Sequence, residues 1–185
     1  MKNLLIVILL FSSSILYCQE KNITNNIWIS VGPGMYRHRY FTGFSLNSSL
    51  NWMRVKPFDT NRGTRYKSSN GEFRLNKYVA SYDEDNYESF TEIGLLYGKS
   101  FGKFLQVKIA SGLGLLTGIK PSGFNPHGTP IYGDKHILTC GIPLVLGISL
   151  VPGEYFGLGV DGSINLYSKN TIYGVNIRLL FGKIR

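Results

Sequence analysis

Apolar and polar positions alternate along much of the chain, most clearly over residues 91–116. Ile93 and Leu95 fall on one face of the first half of this segment, whereas Glu92 and glycines fall on the other. Because successive side chains of a strand point to opposite faces, a period of two predicts strands, here joined by a turn at residues 100–103. One face is apolar and the other mixes glycine with charge, which is typical of a membrane barrel with a narrow polar interior.

The same pattern predicts about eight strands, an even number, as single-chain bacterial barrels have. The predicted strands are 26–35, 44–56, 65–75, 91–99, 104–116, 138–150, 156–166 and 173–182. The segment 65–75 alternates poorly and is included because the strand 91–99 needs a partner. Pro143 lies inside the sixth strand, where a β-bulge is one explanation. The predicted fold class is therefore all-β, a closed antiparallel transmembrane β-barrel.

Segments rich in turn residues separate the predicted strands. The segments predicted as turns or loops include 36–41, 57–63, 76–88 and 117–137. Short turns on one side and longer loops on the other are typical of outer-membrane barrels. We therefore expect the tight turns after the fourth and sixth strands, together with both chain ends, to lie on the periplasmic side.

The first residues of the chain have the features of a secretory signal peptide. Lys2 supplies the positive charge, residues 4–11 are apolar, and three serines follow. The apolar stretch is too short for a membrane-spanning helix. We expect the signal peptide to comprise residues 1–18, with cleavage after Cys18. Lipidation of Cys18 is the alternative, which the bulky Tyr17 disfavours.

The remaining chain, residues 19–185, has a length that suits a single barrel domain. The net charge of the whole chain is +9, and of its two cysteines only Cys140 would remain, so no internal disulfide can form. No apolar run of about 18 residues follows the signal peptide. A membrane location would then need a closed barrel, because lipid offers no hydrogen-bond partner to an open strand edge.

Aromatic residues make up 14% of the chain and cluster near the predicted strand ends. Their amphipathic rings favour the two membrane interfaces, so two aromatic belts are expected. The inner belt would comprise Phe101, Phe104, Tyr155, Phe156 and Phe181. The outer belt would comprise Tyr36, Tyr40, Phe41, Tyr87, Phe90, Tyr167 and Tyr173.

The signal peptide, the hairpin sequence EIGLLYGKSFGKFLQVKIASGLG and the closing strand YGVNIRLLFG resemble the small outer-membrane β-barrel proteins, the OmpA/OmpX-like class with eight strands. The resemblance covers nearly all of residues 26–185. In that class the last strand commonly ends on an aromatic residue that the assembly machinery reads, whereas here Phe181 is followed by Gly-Lys-Ile-Arg. Members of the class are structural barrels, adhesins or, rarely, lipid-modifying enzymes, so the resemblance does not decide the function.

Four charged residues fall on the inward phase of the predicted strands: Glu92, Lys108, Asp161 and Arg178. An unpaired charge is costly in a dry interior, so we expect them to form a salt-bridged network that plugs the lumen. A proton path or a catalytic carboxylate is the alternative. The segment 157–162 matches G-x-G-x-x-G, but no helix is predicted after it, which disfavours dinucleotide binding.

Other candidate residues lie in the predicted outer loops. Arg37 and Arg39 stand beside aromatic rings, a pattern that favours contact with anionic lipid headgroups such as lipopolysaccharide phosphates. The alternative interpretation is that the two arginines are ordinary surface charges that keep the protein soluble. His38, His127 and His136 lack the mutual spacing of a metal site. We expect no metal, no cofactor and no catalytic residue.

These observations favour a non-enzymatic outer-membrane barrel with a structural or surface-interaction role and a side-chain-filled lumen. Membrane lipid is the expected partner, no nucleic acid is expected to bind, and the chain is expected to be a monomer. Two alternatives stay open. One is a lipid-modifying outer-membrane enzyme, and the other is a soluble periplasmic barrel that binds an apolar ligand.

Overall fold

Eight antiparallel strands close into a barrel in which each strand pairs with its sequence neighbours. A computed structural model describes residues 24–39, 41–60, 63–81, 87–102, 104–124, 130–168 and 170–184. The strands are β1 (Thr24–His38), β2 (Phe41–Thr60), β3 (Gly63–Ser81), β4 (Tyr87–Phe101), β5 (Leu105–Phe124), β6 (Pro130–Leu150), β7 (Phe156–Tyr167) and β8 (Asn170–Gly182). The predicted signal peptide lies outside the described residues and stays a prediction.

The barrel closes where β1 pairs with β8, from Trp28 opposite Gly182 to His38 opposite Ile172. Closure leaves no free sheet edge around the barrel wall. The predicted fold, a closed antiparallel all-β barrel of eight strands, is confirmed. We call the end where β1 begins and β8 ends the inner end, and the opposite end the outer end.

The two faces of the barrel wall differ sharply in composition. Burial alternates with a period of two along much of the wall, and most regularly from Phe156 to Tyr167 on β7. The outward positions carry large apolar side chains that remain about half exposed, such as Ile29 at 56% and Val160 at 49%. The inward positions carry mostly polar, charged and small residues, including Asn51 and Ser163, both buried. The barrel is therefore apolar outside and polar inside, the reverse of a water-soluble barrel with an apolar core.

The strands are longer than predicted, and four of the predicted loops are wrong over much of their length. The strands include parts of these predicted loops, namely residues 36–38, 57–60, 76–81, 117–124 and 130–137. The glycines and prolines that suggested loops are held in paired hairpins, where ladder hydrogen bonds to a neighbouring strand offset their weak strand preference. The described part of the β5–β6 hairpin has a register shift between Pro121 and Gly123.

The β-bulge considered at Pro143 is absent. The register between β5 and β6 is the same on both sides of the proline, with Ser111 opposite Leu144 and Gly114 opposite Gly141. The ladder to β5 is merely interrupted there, because proline has no N–H to donate. On its other side Pro143 pairs with Asn165 of β7.

The inner aromatic belt is present as predicted, whereas the prediction for the outer belt is wrong for four of its seven residues. The five residues of the inner belt are all exposed on the outer wall. Four residues assigned to the outer belt, Tyr36, Phe41, Phe90 and Tyr167, are instead buried inside the barrel, because they occupy inward positions of their strands. Tyr87 and Tyr173 are exposed as expected, and Tyr40 lies outside the described residues. In the described part of the chain no helix is long and apolar enough to cross a membrane.

Candidate functional site

The middle of the lumen contains a cluster of ion pairs that reach across the barrel. Lys108 Nζ lies 2.6 Å from Glu72 Oε2 and 3.7 Å from Asp161 Oδ2. Arg178 donates to Asp161 at 2.7 Å, on the neighbouring strand. Since Lys108 is on β5, Glu72 on β3 and Asp161 on β7, the two ion pairs of Lys108 join strands that are not neighbours in the wall. The side chains therefore fill the cross-section of the lumen rather than line it.

A second group of polar contacts lies beside the first. Arg74 donates to Glu92 Oε1 at 2.9 Å and to Asn165 Oδ1 at 3.3 Å. The other oxygen of Glu92 accepts from Tyr78 at 2.6 Å and from Asn165 at 3.1 Å. Asn76 also donates to the Tyr78 hydroxyl, at 2.8 Å. Asn76 reaches the same oxygen of Glu92 at 3.4 Å. The carboxylate of Glu92 is therefore held by four side chains from two strands, β3 and β7.

The six charged residues of these two groups balance one another. Glu72, Glu92 and Asp161 are anions, and Arg74, Lys108 and Arg178 are cations. All six are at most 5% exposed, so each charge must be compensated inside the protein. We call them the lumen charge network. It contains the four inward charges singled out in the sequence and adds Glu72 and Arg74 of β3, which were not predicted.

Glycine makes room for this network on β6. A Cβ atom added at Gly147 would overlap the carboxylate of Asp161 and approach Arg178 Nη2 to 3.4 Å. The G-x-G-x-x-G segment lies within β7, an uninterrupted strand, and contains Asp161. Gly157 and Gly159 face inward between apolar outward residues, whereas Gly162 faces outward, so the segment belongs to the barrel wall.

An aromatic cluster closes the outer end of the lumen. Its buried members are Tyr36, Phe41, Tyr78, Ala80, Phe90, Leu116, Tyr167 and Ile172. His38 lies beside it, fully buried, with Nδ1 2.8 Å from Glu88 Oε2 and its ring edge-on to Phe90. Tyr36 donates to the other oxygen of Glu88 at 2.9 Å. These contacts tie β1 to β4 across the lumen, and His38 is therefore not in an outer loop as predicted.

An apolar cluster closes the inner end. It comprises the buried residues Trp28, Met53, Val151, Leu180 and Ile184. Ile184 belongs to the segment that follows β8, and its N–H donates to the carbonyl of Glu154 at 2.8 Å. Asn26 Nδ2 donates to the carbonyl of Ile184 at 3.2 Å. Residues 182–184 thus fold back over the inner mouth.

The remaining candidate residues lie on the outside. Arg37 and Arg39 are exposed at the outer end, and Arg39 occupies the turn between β1 and β2 with a φ of 52°. Cys140 is a free, exposed thiol on the outer wall of β6. His136 is exposed on β6, and His127 lies outside the described residues. Among the side chains that the structure describes, no group of His, Cys, Asp or Glu is arranged to hold a metal ion.

Glycine packing in the wall leads to a first prediction. A Cβ at Gly112 would overlap the carbonyl oxygen of Leu95 on β4 and lie 2.7 Å from Leu96 Cα. Gly112→Ala should therefore lower the free energy of unfolding by about 1–3 kcal/mol, because the backbone of β4 must move. Gly162→Ala is the control, since its nearest neighbour would be 3.9 Å away, and it should change stability by less than about 0.5 kcal/mol. Urea unfolding in detergent micelles measures both, and equal stabilities would contradict the packing described here.

The fold is the one found in solved small eight-stranded outer-membrane β-barrel proteins, and the chain is similar in fold to three of these structures. The Neisserial surface protein A (NspA) has 10% sequence identity and a TM-score of 0.59, over 87% of this chain and 99% of that one. Ail, the attachment invasion locus protein of Yersinia pestis, has 9% identity and a TM-score of 0.55, over 88% and 99%. Ail in complex with the heparin analogue sucrose octasulfate has 11% identity and a TM-score of 0.57, over 85% and 98%.

These likenesses show the fold alone, because the sequence identities are so low. No protein-family model matches the chain, and no curated protein sequence matches it. The function therefore has to be argued from the barrel wall and the lumen of this chain.

Proposed function

We propose that the chain is a non-enzymatic integral outer-membrane protein with a structural or surface-interaction role and a lumen filled by its own side chains. The observation that carries the proposal is the reversed polarity of the barrel. Large apolar side chains cover the outer wall, whereas six compensating charges fill the centre of the lumen. An apolar outer wall is stable when it faces lipid, and a charged interior is stable when every charge is paired.

The lumen of an eight-stranded barrel is just wide enough for side chains to fill. Here the lumen charge network lies between the aromatic cluster at the outer end and the apolar cluster at the inner end. This stack of three layers supports a plug rather than a water-filled channel. It also disfavours the soluble ligand-binding alternative, because the space where an apolar ligand would bind is occupied by charged side chains.

A conductance measurement tests the plug. Purified wild-type protein reconstituted in planar lipid bilayers should give negligible conductance, because the ion pairs of Lys108 and Arg178 block the lumen. A porin reconstituted in the same way is the positive control. Large, stable single-channel steps from this protein would show that the lumen is open and that the plug is wrong.

The outer rim suits contact with anionic groups. Arg37 and Arg39 are exposed there, and a guanidinium binds phosphate or sulfate through a planar fork of donors. Ail, which shares the fold, has been solved with a sulfated heparin analogue. By analogy we propose that the two arginines contact the phosphates of lipopolysaccharide headgroups.

The rim proposal predicts a change in copurified lipid. Replacing both Arg37 and Arg39 by glutamine should reduce the lipopolysaccharide that copurifies with the protein, because two charge-assisted contacts are lost. Lys77→Gln is the control, since Lys77 is also an exposed cation of the outer wall. Phosphate analysis of the purified samples makes the comparison. An unchanged lipid content in the double variant would reject the contact.

A further inference from the structure

A groove of about 1270 Å³ crosses the outer wall of the barrel from β4 to β1. It lies between two neighbouring rows of outward side chains that run perpendicular to the strands. The upper row leads from Tyr97 to Arg37, and the lower row leads from Lys99 to Met35, each through paired positions on β5, β6, β7 and β8. The floor is the backbone between the two rows.

Two small residues, one in each row of outward side chains, widen the groove. Gly162 lies in the lower row, between Leu146 and Val175, and a Cβ there would find only one neighbour, 3.9 Å away. Ser111 lies in the upper row, between Tyr97 and Leu144. From β4 to β1 the groove crosses six strands, so its length is about 24 Å at the usual spacing between strands. An extended hydrocarbon chain fits a channel of this shape.

The groove climbs from the inner end of the barrel towards the outer end. Lys99 is close to the inner end of β4, at Phe101, whereas Arg37 is close to the outer end of β1, at His38. This inclination follows from the tilt of barrel strands against the axis, about 35–45°. The groove therefore runs through the apolar zone and reaches the outer rim beside Arg37.

The charges at the groove select the kind of occupant. Its walls are almost entirely apolar, and Arg37 and Lys99 are the charged residues among those that line it; no carboxylate does so in the described part of the chain. Arg37 stands opposite Tyr173 on β8, whose exposed ring lies at the same end. An apolar chain with an anionic head at the outer rim complements both features.

We propose that this groove is a specific site for one acyl chain of lipid A, with a lipid A phosphate bound by Arg37. The proposal rests on the proposed outer-membrane location, which places the Arg37 end in the outer leaflet, where lipid A is the anionic lipid. The acyl chain lies over Gly162, between the upper and the lower row of outward side chains. Arg37 holds the phosphate through paired donors of its guanidinium.

Native mass spectrometry of the folded, detergent-solubilised protein with purified lipid A tests the site. Gly162→Phe fills the groove, and Arg37→Gln removes the phosphate contact. Each should weaken lipid A binding about tenfold, the effect expected for the loss of one charge-assisted hydrogen-bonded contact or of an apolar chain site. Val160→Phe is the matched control on the same face of the same strand, outside the groove, and it should bind as the wild type does.

Each outcome decides a different point. Equal binding by the wild type, Gly162→Phe and Arg37→Gln would overturn the groove site, even if all three proteins are recovered from the outer membrane. If Gly162→Phe does not fold, Gly162→Leu and Arg37→Gln provide the same comparison. Equal binding of phosphatidylglycerol, with the same sensitivity to both substitutions, would overturn the assignment to lipid A. Failure of the wild type to enter the membrane would instead contradict the proposed function.

Discussion

Replacing Lys108 by methionine is expected to lower the free energy of unfolding by about 3–5 kcal/mol. Lys108 lies 2.6 Å from Glu72 and 3.7 Å from Asp161, and both carboxylates are buried. Methionine is similar in length but carries no charge, so the substitution leaves the lumen charge network with one uncompensated anion. Urea unfolding of the protein in detergent micelles or vesicles measures the loss.

Two further variants show whether the loss comes from charge or from packing. Adding Glu72→Gln to Lys108→Met restores neutrality, so the double variant should be less destabilised than the sum of the two single variants. Lys77→Met, on the exposed outer wall, should change stability by less than about 0.5 kcal/mol. Strict additivity in the double variant would show that the two residues do not form a coupled pair.

An arginine in place of Leu146 should also be strongly destabilising, by about 2–4 kcal/mol for a barrel in lipid. Leu146 is on the outer wall of β6, 57% exposed, and belongs to the apolar surface that would face acyl chains in the proposed membrane location. The cost arises because the guanidinium must be dehydrated or must distort the bilayer around it. Stability of the folded protein in lipid vesicles is the quantity to compare.

Leu138 offers a matched control for this substitution. It is the same residue type on the same face of the same strand, but it lies where β6 extends past the outer end of β7 at Tyr167. Leu138→Arg should therefore cost no more than about 1 kcal/mol. If Leu146→Arg is equally harmless, the outer wall faces water, and the soluble-barrel alternative regains support.

The sequence predicted the fold because both faces of most strands have a consistent composition. On β7 and β8 every second residue from Leu158 and from Tyr173 is apolar or small and faces outward, as predicted. β3 was hardest to recognise because its outward positions include Gly71 and Lys77. A Cβ at Gly71 would overlap the ring of Trp52, so an aromatic side chain of β2 covers this position, and nothing in the β3 sequence shows it.

The site was harder to predict than the fold because its contacts depend on strand register. Glu72 and Arg74 occupy inward positions of β3, where polar residues from Ser68 to Asn76 recur at every second place. That recurrence is the signal that could have identified them. The contact of His38 with Glu88 joins residues fifty positions apart on opposite sides of the lumen, and no spacing in the sequence indicates it.

Fractionation of cells that express the full-length chain tests the central claim most directly. If the apolar outer wall faces lipid, the protein should be recovered in the outer-membrane fraction, remain there after an alkaline carbonate wash, and be released only by detergent. Recovery in the soluble periplasmic fraction without detergent would contradict the account.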